Sequence, residues 1–290
     1  MGLVSKIVLP VDFSDRCVGA ARHAALLAER YDAEILMIHV VEPIRYEFTS
    51  LEFGGAALTE LAANRTALAR QRLEGFLVEE LPVRRLRRLL REGDAAQTIV
   101  ETAREEGADL LTMPTHGYGR FRRFILGSVT AKVLHDAHCP VWTGVHWEEP
   151  PAAGSLAVRT VLCAVDLGPQ STQPLKWAAE LARDFQARLV LAHAYPCIEL
   201  RPGECGDRDL NAELGESARA RLEKLCQECN VRAELVVECG DAPGVVCRIA
   251  RDCKADVMVI GRGSAAGIFG RLRTNAYAII RESPCPVVSV

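Results

Sequence analysis

No stretch of this 290-residue chain approaches the roughly eighteen uncharged apolar residues that mark a membrane-spanning helix. The apolar run nearest the start, Ile7 to Val11, includes Pro10 and is too short for a secretion-signal core. A cytoplasmic chain that touches no membrane is therefore expected. An excess of positive charge is also missing. The net charge is −3, which gives no support to a nucleic-acid partner, since such binders usually carry a basic balance. Walker sequences, the Gly-x-Ser-x-Gly elbow and the His-Glu-x-x-His pair are absent, and the seven histidines are scattered. No nucleophile stands at short spacing from a base, so an efficient hydrolase is not supported. Cysteine is scarce in the first half, where only Cys17 and Cys139 occur, and the other nine lie after residue 160. Without a secretion signal, these are expected to be reduced thiols serving as small hydrophobes.

What the chain does contain is itself, twice. Val8-Leu9-Pro10-Val11-Asp12 recurs as Leu162-Cys163-Ala164-Val165-Asp166, and His39 recurs as His193. Arg91-Glu92-Gly93-Asp94-Ala95 matches Glu238-Cys239-Gly240-Asp241-Ala242, and Cys139-Pro140-Val141 matches Cys285-Pro286-Val287. Order is kept, and the spacing shortens only after the second strand and inside a later loop. Solenoid repeats are much shorter, so these are duplicated domains. We expect a first domain over residues 1–147, a Pro/Gly-rich linker over 148–157 and a second domain over 158–290.

Within the first copy, Ile7–Val11, Glu34–Val41, Leu86–Arg91, Asp109–Met113 and Val141–Val145 read as strands. Most are nearly continuous in hydrophobicity, which suits a parallel sheet covered on both faces. The arginines of Leu86–Arg91 point to an edge. Helical patterns lie between the strands: an apolar stripe of Cys17, Ala20, Ala21, Ala24, Leu27 and Ala28, then Leu58–Leu81, a helix capped by Asp94 after Gly93, and Ser128–Ala137. The fold class is thus α/β, with two doubly wound five-stranded parallel-sheet domains in tandem. Ligands are expected beyond the strands' carboxyl ends, at the topological switch. Strand order cannot be read from this pattern.

The segment Met113-Pro114-Thr115-His116-Gly117-Tyr118-Gly119-Arg120 follows a buried strand, and Gly127-Ser128-Val129-Thr130 opens a helix. Two readings are open. Small residues let backbone N–H groups approach a phosphate at a helix N-terminus, with Ser128 and Thr130 adding hydroxyls. Alternatively this is a Gly-rich turn in which Ser128 is an ordinary N-cap. His116 touches a phosphate or serves acid–base chemistry in a functional reading, whereas a loop histidine more commonly faces solvent.

The segment resembles the universal stress protein signature, Gly-x₂-Gly-x₉-Gly-Ser/Thr. Gly117, the spacer, Gly127 and Ser128 fit it, while Pro114 replaces the first glycine. The Pro-Val-Asp-Phe-Ser run at 10–14, His39-Val40 and the Cys-Pro-Val pair also fit, so the resemblance covers nearly the whole chain twice. It implies an adenine nucleotide, ATP or similar and with or without magnesium. Base and ribose contacts would come from Pro10, Asp12 and Val40, and phosphate contacts from Gly117, Gly127, Ser128, Val129 and Thr130. Arg120, Arg122 and Arg123 either neutralise phosphate charge or form a solvated loop. Asp12 or Ser14 otherwise caps the following helix. The resemblance further implies an internal pseudo-dimer through the last strands, and room for a homodimer.

The second copy keeps Asp166, but its loop reads Gly261-Arg262-Gly263-Ser264 and then Arg273-Thr274 in place of Gly-Ser. This half is expected to bind nucleotide poorly or not at all. Cys226-x₂-Cys229, with Cys197 and Cys205 upstream, allows a zinc site or free thiols, and free thiols are the expectation. Pro43–Leu58 reads as a lid, a partner loop or filler. The function expected is therefore a stress-response module that senses or sequesters an adenine nucleotide in its first domain. The alternatives are a stress-related interaction protein without a nucleotide, and a slow ATPase or a thiol- or metal-dependent enzyme.

Overall fold

The computed structural model describes residues 2–43, 55–116, 126–144, 157–198, 207–262 and 274–290. The first repeat runs β1 (Lys6–Pro10), α1 (Arg16–Tyr31), β2 (Glu34–Val41), α2 (Gly55–Gly75), β3 (Leu86–Glu92), α3 (Ala95–Glu105), β4 (Leu110–Pro114), α4 (Ser128–Asp136) and β5 (Val141–Gly144). Its strand order is β3-β2-β1-β4-β5, with β1 parallel to both β2 and β4 and β2 parallel to β3. The chain reverses its winding at β1, which is the topological switch of a doubly wound sheet.

The second repeat runs β6 (Thr160–Ala164), α5 (Thr172–Phe185), β7 (Arg188–Tyr195), α6 (Asp207–Cys229), β8 (Glu234–Cys239), α7 (Ala242–Asp252), β9 (Val257–Ile260), α8 (Thr274–Glu282) and β10 (Val287–Ser289). Its order is β8-β7-β6-β9-β10, again with the switch at its first strand. The chain forms two compact units. The α/β class and the tandem duplication stand as expected.

Local chemistry explains the elements. The central strands β1 and β4 are almost entirely buried, as their continuous apolar sequences require. Strand β3 is the edge of its sheet, and its arginines are used there. Arg87 pairs with Glu106 and Glu34, while Arg88 Nε donates to the Leu73 carbonyl at 3.0 Å. All six residues of the α1 stripe are buried. That helix ends at Asp32 in the left-handed region (φ 51°), a conformation that Asp tolerates better than most residues.

Repeat symmetry extends to the backbone. Gly93 (φ 149°) and Gly240 (φ 142°) both precede N-capping aspartates. Asp94 accepts from the Gln97 amide at 2.9 Å and Asp241 from the Gly244 amide at 3.3 Å. At the opposite end of the sheets, Asp109 accepts from the amides of Ser5 and Lys6. Asp256 does the same for Arg159 and Thr160.

One helix differs from its expected span. Instead of running Leu58–Leu81, α2 begins at Gly55 and stops at Gly75. Leu77 takes a left-handed φ of 55°, which a continuing helix cannot accommodate. Leu77 and Leu81 are nonetheless buried, so their apolar spacing reflects a packed turn. The shortened spacing between repeats falls here too. Residues 76–85 join α2 to β3, whereas only residues 230–233 join α6 to β8. The expected lid segment at 43–58 and the linker at 148–157 lie largely outside the described residues.

Candidate functional site

At the carboxyl end of β1 the chain passes from buried Pro10 and Val11 to half-buried Asp12. The Val11 amide donates to the Ile38 carbonyl at 2.8 Å, so β1 and β2 stay paired to this point. Asp12 Oδ1 accepts from the Ser14 amide (3.0 Å), the Ser14 hydroxyl (2.6 Å) and the Cys17 thiol (3.2 Å). Phe13 between them takes a positive φ of 64°. The carboxylate is therefore held at the strand end by the turn it organises. Neither Asp12 nor Ser14 is the N-cap of α1. That position belongs to Asp15, which makes no side-chain capping bond.

The turn is braced from β2 and α2. His39 Nδ1 lies 2.7 Å from the Val11 carbonyl, and its ring sits 4.2 Å from that of Phe13. Arg72 lies over the Phe13 ring, 4.5 Å from its centroid, a cation–π distance. Val40 follows His39 and is half-buried. Burial, reinforced by the negative charge of Asp12, pushes the Cys17 thiol up to about 12. Cys17 is therefore a hydrogen-bond donor to Asp12 and not a nucleophile.

Across the switch, β4 ends at Pro114 and α4 begins at Ser128. The Gly127 amide donates to the Thr115 carbonyl at 2.9 Å, which brings the helix start against the strand end. A Cβ on Gly127 would lie 3.3 Å from His116 Cα and 3.4 Å from the Thr115 carbonyl oxygen. Glycine is favoured here by close approach, since a Cβ would make a tight contact with the 115–116 backbone; its φ is an ordinary −62°.

Gly127, not Ser128, is the N-cap. Ser128 occupies the first helical turn and is exposed, and Val129 is half-buried. Thr130 does not offer its hydroxyl to the cleft: it is buried and donates to the Pro114 carbonyl at 3.1 Å. His116, expected to face solvent if not a phosphate ligand, is buried beside the Thr115 hydroxyl at 3.0 Å. Gly117, Arg120, Arg122 and Arg123 lie outside the described residues.

The second repeat builds the same turn. Asp166 Oδ1 accepts from the Gly168 amide (2.8 Å) and the Ser171 hydroxyl (3.1 Å), with Leu167 at φ 56°. His193 Nδ1 lies 2.8 Å from the Val165 carbonyl. Beside this turn is a cavity of about 390 Å³ lined by Asp166, Ser171, His193, Pro196, Ala242 and Asn275 among others. It lies at the strands' carboxyl ends, where this architecture places ligands. Of the second loop, only Gly261 and Arg262 and then Thr274 onward fall within the described residues.

Two cysteine expectations change. Cys197 is bonded to Cys239 with Cα atoms 5.0 Å apart, so not every second-half thiol is free. This also removes Cys197 from any zinc set with Cys226 and Cys229. Among the described residues, no group of three or more His, Cys, Asp or Glu side chains is placed to hold a metal ion. The missed signal was topological. Tyr195 and Cys239 are register partners on β7 and β8, an adjacency that sequence spacing does not give.

The geometry is that of a doubly wound parallel α/β domain, made twice. The model of the universal stress protein family matches residues 4–143 and again 157–290, and the chain belongs to that family. A universal stress protein of Methanocaldococcus jannaschii is 37% identical over 139 residues, covering 48% of this chain and 81% of the relative. One from Thermus aquaticus is 32% identical over 135 residues, covering 47% and 94%. The crystal structure of a universal stress protein from Archaeoglobus fulgidus covers 99% of this chain and 96% of its own, at 18% identity and a TM-score of 0.67. At that identity the likeness speaks for the fold. Among the described residues no helix is long and apolar enough to cross a membrane.

Proposed function

We propose that the chain is a regulatory stress-response module that holds an adenine nucleotide, ATP or similar, at the switch of its first repeat. The observation that carries this reading is the convergence there of Asp12 and the start of α4. A carboxylate fixed at a strand end suits ribose hydroxyls, and a helix N-terminus closed on the strand by Gly127 suits phosphate. In this reading Pro10, Asp12 and Val40 line the base and ribose. Gly117, Ser128 and Val129 approach the phosphates with their amides, Gly127 holds the start of α4 against β4 through its own amide, and Arg120, Arg122 and Arg123 supply neutralising charge. Thr130 acts through Pro114, fixing the angle at which α4 meets β4. Magnesium enters with the phosphates, since no described cluster of protein ligands awaits it. The role in this reading is sensing or sequestration, and the thiol nearest Asp12, held protonated by burial, is unsuited to nucleophilic chemistry there.

Calorimetric titration of ATP and AMP into the wild type, Asp12→Ala and Gly127→Asp tests the proposal. Saturable binding lost in both variants supports it, and no saturable binding by the wild type overturns it. One observation favours a second reading, an interaction protein without nucleotide. Pro114 stands where the family signature has glycine, and it offers no N–H to a phosphate.

A further inference from the structure

Two cysteines differ from all the others described. Cys197, just beyond β7, and Cys239, the last residue of β8, are both exposed and joined by a disulfide. Their Cα separation of 5.0 Å lies within the range that a bridge spans. The other eight described cysteines are buried or half-buried, none of them exposed. Burial pushes Cys17 and Cys285 each up to about 12 and Cys247 up to about 11, which leaves them poor partners for oxidation. Among the described cysteines, the bridged pair is the one that faces solvent.

That pair sits at the rim of the second repeat's cavity. Pro196, adjacent to Cys197, lines the cavity, as does Ala242, three residues beyond Cys239. The Gly240 amide donates to the Tyr195 carbonyl at 2.8 Å, continuing the β7–β8 pairing up to the bridge. From the other side, Asn211 of α6 accepts from the Ile198 amide and donates to its carbonyl, both at 3.0 Å. The Tyr195 hydroxyl donates to the Asn211 carbonyl at 3.0 Å. The exit of β7 is thus clamped between α6, through hydrogen bonds, and β8, through a covalent bond.

The first repeat shows that this clamp is no requirement of the fold. The positions equivalent to Cys197 and Cys239 are Pro43 and Glu92. Glu92 instead accepts a hydrogen bond from Thr66 at 2.8 Å. The bridge belongs to the second repeat alone.

We propose that Cys197 and Cys239 form a reversible dithiol–disulfide pair that sets how freely the second repeat's cavity opens. Oxidation runs by exchange with a low-molecular-weight disulfide such as oxidised glutathione. One protein thiolate attacks a sulfur of the small disulfide, forming a mixed disulfide and expelling one small thiolate. The second protein thiolate attacks the protein sulfur of that mixed disulfide, closing the Cys197–Cys239 bond and expelling the other. Two protein thiols are oxidised, one small disulfide is reduced to two thiols, and the two protein protons pass to them. Reduction reverses each step and leaves the β7 exit held by hydrogen bonds alone. The proposal does not depend on which ligand enters the cavity.

The test uses the full chain, equilibrated with oxidised glutathione or with dithiothreitol. Alkylation and peptide mass mapping locate the bridge, and hydrogen exchange is followed on peptides covering 193–198 and 240–246. A Cys197–Cys239 cross-link in the oxidised chain is expected, with about tenfold slower exchange in both peptides than in the reduced chain. Cys197→Ser and the Cys197→Ser/Cys239→Ser double variant should exchange like the reduced wild type under both conditions. No cross-link, a cross-link between other cysteines, or equal exchange in the two wild-type states overturns the proposal. The wild-type comparison stands whether or not the variants fold.

Discussion

Cys17 donates its thiol to the same Asp12 oxygen that accepts from the amide and hydroxyl of Ser14. Three donors converge on one atom, so the carboxylate is fixed before any ligand arrives, and its partners hold the entry to α1. Asp166 repeats the arrangement with Gly168 and Ser171. Removing the acceptor leaves part-buried donors without a partner, at a cost of about 1–3 kcal/mol. Asp12→Ala should therefore lower the urea midpoint clearly, and Asp12→Asn, which keeps an acceptor oxygen, should lower it less. Equal midpoints for Asp12→Ala and the wild type would show that this turn does not stabilise the fold.

His23 gives the chain a pH-dependent stability. It is buried in α1 with Nδ1 2.9 Å from the Gly19 carbonyl, and burial lowers its pKa from 6.5 to about 4. Between those values the unfolded chain binds a proton that the folded chain refuses. The contribution is complete above pH 6.5 and is lost as the pH falls through 4. It amounts to about 3 kcal/mol. Urea titrations from pH 7 down to 4 should show this slope, and His23→Gln should flatten it by one proton. An imidazole resonance of His23 titrating near 6.5 by NMR would contradict the assignment.

The strands were legible because parallel, doubly covered strands read as nearly continuous apolar runs. The edge strand was legible because Arg87 and Arg88 cannot be buried on both faces. Asp94 was legible as a cap because Gly93 precedes it and the helix periodicity follows. The end of α2 was not, since Phe76, Leu77 and Leu81 keep a helical spacing while packing in a turn. Ser128 looked like a cap because the close approach that favours Gly127 is a contact with residues 115–116. The Cys197–Cys239 bridge was hidden for a similar reason: it depends on β7 and β8 being neighbours. Sequence patterns reported faces and caps, whereas contacts across the fold required the strand order.

Gly93 and Gly240 should be hard to replace. Both have φ values that L side chains rarely adopt. An added Cβ would meet Thr98 Oγ1 at 2.6 Å in the first repeat and Val245 Cγ2 at 2.8 Å in the second. Alanine at either position should cost about 1–3 kcal/mol through backbone strain, seen as a lower melting temperature. Gly75→Ala is the control, because nothing lies within 4 Å of a Cβ there. If all three alanine variants melt together with the wild type, strain at these turns is not what selects glycine.

Thr130 and Ser128 separate holding the site from contacting its ligand. The Thr130 hydroxyl donates to the Pro114 carbonyl inside the fold, whereas Ser128 is exposed in the first turn of α4. Thr130→Val keeps the shape and deletes the donor, so a buried carbonyl loses its partner at about 1–3 kcal/mol. Its melting temperature should fall. ATP affinity should drop only modestly, as far as α4 shifts against β4. Ser128→Ala should melt like the wild type, and if phosphate sits at the start of α4 its ATP affinity should fall severalfold. Paired melting and calorimetric titration of the two variants distinguish the roles. Normal melting with weakened ATP binding in Thr130→Val would mean that its hydroxyl leaves Pro114 when the nucleotide arrives, and would return Thr130 to the phosphate.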